Sequence, residues 1–233
     1  MFKSIRNAVG RQYVQRICRR EFENQRLSPN ERPIEYRFLF EQIVEIRPQS
    51  VLDVGTGITA VPALVANCGI TVTAIDNIRD FWPKGMFNRH FHVIDEDIIK
   101  FTPQNPFDLV TCISVLEHIR DQDAAVDSMF RALKPGGHLV ITGPYSDPRP
   151  SPNVYALADS DAYGKTIPFI CQAYCRATLD KWLARHGATI VRQEFWQFYE
   201  GEFWSCGTPV IPPRRVDAQS RHQITCLLLR KAG

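Results

Sequence analysis

The stretch VLDVGTGITA at 51–60 sets Asp53 two positions before Gly55, with Gly57 and Ala60 completing a G-x-G-x-x-A spacing. The two glycines permit a tight turn and let backbone approach a ligand closely. The spacing alone fits a turn that cradles a pyrophosphate at a helix N-terminus. Asp53 argues for the opposite sign. A carboxylate at the carboxyl end of an apolar strand is unfavourable to bury unless donors or a cation meet it. The first question is therefore the charge of the ligand.

Three further groups bear on it. Asp76 closes TVTAIDN, 21 residues after Gly55, where a carboxylate can accept both hydroxyls of a ribose. That position serves NAD equally well. In DEDI (95–98) Asp97 is placed to accept from an adenine amino group, while the Ile98 backbone N–H meets the ring and its side chain covers it. His118 in LEHI, His90 and His92 are candidates for a general base, and Glu117 beside His118 reads as structural. S-adenosylmethionine (SAM) carries an ammonium and a sulfonium, so the sign at Asp53 fits it. Two rivals stay open: an NAD-dependent oxidoreductase, supported by the glycine spacing, and a SAM-binding module without turnover.

These groups need a scaffold that brings strand ends together. From residue 51 short β-branched runs alternate with helical patterns, giving candidate strands at 51–54, 71–75, 91–94, 108–113 and 138–142. Helical periodicity falls at 35–46, 60–68 and 122–133, and again at 178–186 before Gly187. Alternation of this kind predicts a doubly wound α/β sheet with parallel strands. Thr59 is expected to cap the first crossover helix and Pro62 to sit in its first turn. Two later strands are expected near 188–198 and 223–230. Residues 145–169 hold four prolines and little periodicity, and read as a long loop.

The succession VLDVGTG, AIDN, DEDI, FDLVTCISVLEHI and RALKPGGHLVITGP resembles the Rossmann-like, class I SAM-dependent methyltransferases. It is most similar to the small-molecule branch that includes the ubiquinone-biosynthesis O-methyltransferases, over roughly residues 35–144. The resemblance implies a seven-stranded sheet whose last strand is antiparallel, with SAM as cofactor and S-adenosylhomocysteine (SAH) as its product. Carried over, Asp53, Gly55 and Gly57 hold the methionine end, Asp76 binds the ribose and Asp97 the adenine. Thr56, Asn77 and Ile98 fall beside them, and Ile113 and Ser114 line the site. Thr59 stands where many members have a third glycine. Arg37 is a further candidate, reaching the cofactor carboxylate from the preceding helix.

The remaining residues bear on the acceptor. The turn after the fourth strand, CISVL, lacks the Pro-Pro-aromatic pattern of amino-directed nucleic-acid methylases. No Pro-Cys pair suggests a cytosine-directed nucleophile, and no Lys-Asp-Lys-Glu series suggests ribose methylation. This disfavours nucleic acid and favours a small molecule methylated at oxygen, such as a sugar, a quinone-like ring or another secondary metabolite. Six of the ten residues from Phe195 to Trp204 are aromatic. Trp196 and Tyr199, with Tyr145 after the fifth strand, read as walls of an acceptor pocket, or else as an aromatic core or homodimer face.

Composition sets outer limits. The chain has 233 residues, 44% hydrophobic and 23% charged, which suits one soluble domain. Its seven scattered cysteines contain no C-x-x-C pair and read as reduced thiols in a cytoplasmic protein, with no metal site. The net charge of +3 is uneven: Lys3, Arg6, Arg11, Arg16, Arg19 and Arg20 give residues 1–20 a local +6 with no acid. The segment predicts a basic amphipathic helix whose stripe packs on its own domain, meets an anionic membrane surface peripherally, or serves as an organellar transit peptide. Residues 1–34 are thus set apart from a methyltransferase domain at 35–233, its cofactor half at about 35–144 and its acceptor side at about 145–233.

Overall fold

The computed structural model describes residues 2–23, 30–82 and 84–233. The chain divides into two compact units, Met1–Pro33 and Ile34–Gly233.

The first unit holds helix α1 (Phe2–Glu23). Ile5, Val9, Tyr13 and Val14 are all more than half exposed. The helix is not cleanly amphipathic. At about 100° per residue, Arg16 falls between Ile5 and Val9, and Arg6 between Tyr13 and Ile17. These two arginines share the arc of the apolar residues, while Arg11 and Arg19 fall outside it.

The second unit is built on one eight-stranded sheet of order β3-β2-β1-β4-β5-β8-β6-β7. Its strands are β1 (Ser50–Val54), β2 (Thr71–Asp76), β3 (Val93–Asp95), β4 (Phe107–Ile113), β5 (Leu133–Pro144), β6 (Thr189–Tyr199), β7 (Pro209–Val216) and β8 (Ile224–Arg230). β1 to β5 run parallel; β8 inserts antiparallel between β5 and β6, and β7 pairs antiparallel with β6. The expected antiparallel last strand is present, but the sheet has eight strands, not seven. The extra one is β7, PVIPPRRV. Proline cannot donate to a ladder, so three prolines in eight residues read as a break; at a sheet edge they are tolerated. β5 also begins five residues before the expected start, because Pro135-Gly136-Gly137 reads as a turn yet continues the strand past an irregularity opposite Asp108.

Strand side chains alternate between two cores. On one face Leu52, Val110, Cys112, Leu139, Ile141, Leu227 and Leu229 pack with α5 (Gln122–Ala132) and α6 (Arg176–His186) through Val126, Met129, Phe130, Leu179 and Trp182. On the other, Val51, Leu109, Val140, Cys226 and Leu228 meet α2 (Arg32–Ile46) and α3 (Val61–Asn67) through Phe38, Leu39, Ile43, Val61 and Val65. Residues 27–29 of the expected break before α2 lie outside the described residues. α6 ends as expected at Gly187, in the left-handed region at φ 57°.

The segment expected as a bare loop after β5 carries structure of its own. A 3₁₀ turn at Val154–Ala156 and bridges Ser151–Ala173 and Ser160–Cys206 organise it. Val154, Cys171, Ala173, Phe203 and Cys206 bury one another in a third, small core beside Tyr155, Leu157 and Trp204. Proline-rich spacing hid this, because its apolar residues come from two segments far apart in sequence.

Candidate active site

Parallel strands deliver their carboxyl ends to one edge of the sheet, and loops there line a crevice. Asp53 lies next to the end of β1, directly beside Thr111 of β4 in register. Its Oδ1 accepts from the Thr111 hydroxyl and its Oδ2 from the Thr56 hydroxyl, each at 2.7 Å. Burial outweighs both donors and pushes its carboxyl up to about 6. Thr56 thus serves Asp53 from within the loop.

The glycine turn follows. Gly55 sits at φ +70°, and a Cβ there would fall 2.3 Å from Val115 Cγ1, so only glycine fits. Gly57, at φ +56°, donates its N–H to Asp76 Oδ2 at 2.7 Å. The remaining Asp76 oxygen accepts from the Trp82 indole at 3.1 Å. Asp76 is 8% exposed, and its pKa is raised chiefly by that burial. Thr59 does not cap α3: Ala60 holds that position without a side-chain bond, and the Thr59 hydroxyl donates back to the Thr56 carbonyl at 2.9 Å.

Two residues of the 77–92 segment were not singled out from sequence. Trp82 is one. Asn88 is the other: its amide donates to the carbonyls of Gly57 and Thr59, both at 2.9 Å, and its oxygen accepts from the His90 and Phe91 N–H groups. It straps the glycine turn from outside. Only a lone asparagine in a featureless stretch marked it. Asn77 turns to the four-residue helix α4 (Ile78–Phe81), accepting from the Asp80 N–H at 3.3 Å. Asp97 accepts from the Ile99 N–H at 3.0 Å in a local turn. The Ile98 side chain, 4% exposed, packs in the main core.

After β4, Ile113 packs into the α2-side core and Ser114 adopts a left-handed conformation at φ +49°. Its N–H donates to the Thr142 carbonyl at 3.0 Å, and its hydroxyl to Glu35 Oε1 at 2.6 Å. The same Glu35 oxygen accepts from the Thr142 hydroxyl at 2.7 Å. Glu35, wholly buried on α2, gave no sequence signal because acids are common in a first helical turn.

His118 lies in the 3₁₀ turn Leu116–His118. Its Nδ1 is 2.6 Å from the Ile170 carbonyl, its ring meets Phe169 edge-on at 4.5 Å, and its Nε2 is 3.9 Å from Glu117 Oε1. Gln172 ties the acceptor-side segment to the same turn, its N–H to the Glu117 carbonyl and its amide to the Ile119 carbonyl. His90 and His92 are exposed.

The expected acceptor walls divide. Tyr145 is in the core, 1% exposed, its hydroxyl donating to Asp147 and its ring stacked on His222. Trp196 faces α2, with its indole 3.3 Å from Glu194 and Arg37 over its ring at 5.8 Å. Tyr199 meets Trp204 edge-on at 5.4 Å, at the carboxyl end of β6. Arg37 is engaged elsewhere: it pairs with Glu41 at 2.7 Å and with the buried Glu194, which Arg192 and Arg215 also meet.

Charge decides the ligand. Glu35, Asp53, Asp76 and Glu117 are all buried, while no Lys or Arg is buried among the described residues. A pyrophosphate would meet this edge with like charge. A sulfonium and an ammonium are complementary to it, and the glycine turn leaves room for close approach. The residues therefore fit SAM and oppose NAD.

Fold and site together define a Rossmann-like, class I methyltransferase that uses SAM. The methyltransferase domain family matches residues 11–193, and the chain belongs to it. It is similar to the ubiquinone biosynthesis O-methyltransferase of Pseudomonas fluorescens, 26% identical over 145 residues, covering 58% of this chain and 60% of that one. The corresponding Xylella fastidiosa enzyme is 32% identical over 111 residues, covering 42% and 43%. The chain thus spans about half the length of the curated relatives it matches. Among solved structures, the 1,6-didemethyltoxoflavin-N1-methyltransferase of Burkholderia thailandensis, with its substrate and SAH bound, superposes at TM-score 0.59 and 14% identity over 97% of this chain and 90% of that one. A SAM-dependent methyltransferase from Archaeoglobus fulgidus gives 0.55 at 18% identity over 87% and 95%. At such identities these likenesses show the fold.

Proposed function

We propose that the protein methylates a small-molecule acceptor at oxygen, with His118 as general base. The observation that carries this is the His118–Ile170 contact. A carbonyl can only accept, so the neutral ring holds its proton on Nδ1 and its lone pair on Nε2. That is the tautomer a base needs, on the turn that follows β4. SAM, when bound, supplies a methyl group already activated on a sulfonium. The chain's own work is to position the acceptor, exclude water and take the hydroxyl proton.

The ordered segment after β5 supports a discrete acceptor. It carries its own small core and is pinned to the Leu116–Ile119 turn by Gln172, which suits a rigid cover over a compact molecule. The O-methyltransferase names of the curated relatives point to oxygen.

The test is an acceptor screen with methyl-labelled SAM across phenols, catechols, sugars and heterocyclic amines. A labelled methyl ether, located by NMR, is the expected product. Methylamines alone, or binding of SAM without turnover on any member, would overturn the assignment to oxygen or to catalysis respectively.

A further inference from the structure

Glu35 is a wholly buried carboxylate on α2 that plays no part in the reaction as described. Its Oε1 accepts from the hydroxyls of Ser114 and Thr142, 79 and 107 residues further along the chain. Those two residues stand side by side at the carboxyl ends of β4 and β5, joined by the Ser114 N–H to Thr142 carbonyl bond. One oxygen thus ties a helix to two central strands at the crevice edge.

Ser114 needs such a tie. At φ +49° it is in the left-handed region, which L side chains other than Asn and Asp rarely occupy. The conformation has a purpose one residue on. Val115 packs so closely on Gly55 that a Cβ there would be 2.3 Å from Val115 Cγ1. Turning the chain at Ser114 puts Val115 against the glycine turn, beside Asp53.

We propose that Glu35 is a positioning residue for cofactor binding: its Oε1 holds Ser114 left-handed, so that Val115 braces Gly55 in the turn that receives SAM. The link runs from Glu35 through Ser114 and Val115 to Gly55, and Glu35 touches no reacting atom. It rests on the cofactor reading of the site, not on the identity of the acceptor.

The bond, not the charge, does this work. Glutamine can present its amide oxygen to both hydroxyls, so Glu35→Gln retains SAH affinity within about threefold of wild type. Glu35→Ala strands both hydroxyls and weakens SAH about tenfold. Glycine occupies the left-handed region freely, so Ser114→Gly added to Glu35→Ala restores most of the lost affinity. Calorimetry with SAH well below each variant's melting temperature reads all four proteins without needing an acceptor. A purely structural residue would lower the melting temperature and leave the affinity of folded protein unchanged, and that result would overturn the proposal. So would a Glu35→Gln variant as weak as Glu35→Ala, or a glycine that restores nothing.

If Glu35→Ala does not fold, Ser114→Ala against Ser114→Gly gives the same answer. Both lose the hydroxyl bond, but only alanine resists the backbone angle, so SAH should bind several-fold more weakly to Ser114→Ala. Equal affinities would overturn the proposal. Wild-type protein that binds neither SAM nor SAH would instead overturn the cofactor reading itself.

Discussion

The Trp82 indole donates to Asp76 Oδ1 at 3.1 Å while the Gly57 N–H holds Oδ2 at 2.7 Å, so the carboxylate expected to receive a ribose is already met by the chain itself. The indole also lies 3.4 Å from where a Gly57 Cβ would stand. Each carboxylate oxygen can take two donors, so a ribose reaching Asp76 either displaces the indole or joins it on the remaining lone pairs.

Tryptophan emission should therefore change when SAH is titrated in. Three other tryptophans (182, 196 and 204) contribute background, and Trp82→Phe should lose at least half of the change. If the ribose displaces the indole, releasing one internal hydrogen bond of about 1 kcal/mol should also tighten SAH a few-fold. Weaker binding by Trp82→Phe would mean the ring is a wall of the site and not a stand-in for the ribose.

Asp53 makes stability depend on pH in a calculable direction. Its folded-state pKa of about 6 lies above the ordinary 3.8. Between these values the folded state binds more protons than the unfolded one, so stability falls as pH rises from about 4 to about 6. The full difference is on the order of 3 kcal/mol. Asp53→Asn should flatten that part of the melting-temperature profile. It should also weaken SAM at least tenfold at pH 7.5, while wild-type affinity declines below pH 6. Parallel melting profiles for the two proteins would refute the assignment.

His118→Ala should lower methyl transfer to the identified acceptor by about 10²–10⁴-fold and leave SAH affinity within about threefold. A loss confined to SAH binding would make His118 a structural residue that holds the Ile170 segment.

The arginines of α1 should bind anionic lipid electrostatically. Flotation with phosphatidylserine-containing vesicles should be strong at low salt, fall steeply with added salt, and disappear when residues 1–20 are deleted. Because Arg6 and Arg16 interrupt the apolar arc, neutral vesicles should not bind. Unchanged flotation of the deleted chain would rule the segment out as a membrane contact.

What could be read in advance was what depends on local pattern. The β1–turn–α3 unit, the acid ending β2 and the left-handed Gly187 each follow from a few neighbouring residues. Contacts that depend on how the chain turns back or packs were not legible. Glu35 meets Ser114 only because the sheet brings α2 over the end of β4. Trp82 meets Asp76 only because α4 turns the chain back. The burial of Tyr145 and Ile98 was not legible for a related reason. An aromatic or aliphatic residue beside a site motif can serve the ligand or the core, and only packing decides. β7 was hidden by its prolines, whose lack of donors matters little at an edge.

The placement of β8 bears on how the sheet assembles. β5 and β6 are not paired with each other; β4 covers one edge of β5 and β7 one edge of β6, and the remaining edge of each finds its partner in residues 224–230. Until that segment arrives, both present unpaired edges rich in Val, Ile and Phe, separated from their partner by up to about ninety residues. Pairing at that distance is slow, and open edges invite contacts with other chains. Folding of the sheet is thereby gated by a late-encoded interior strand. Chains cut before residue 224 should aggregate even though every cofactor-site residue named above is retained.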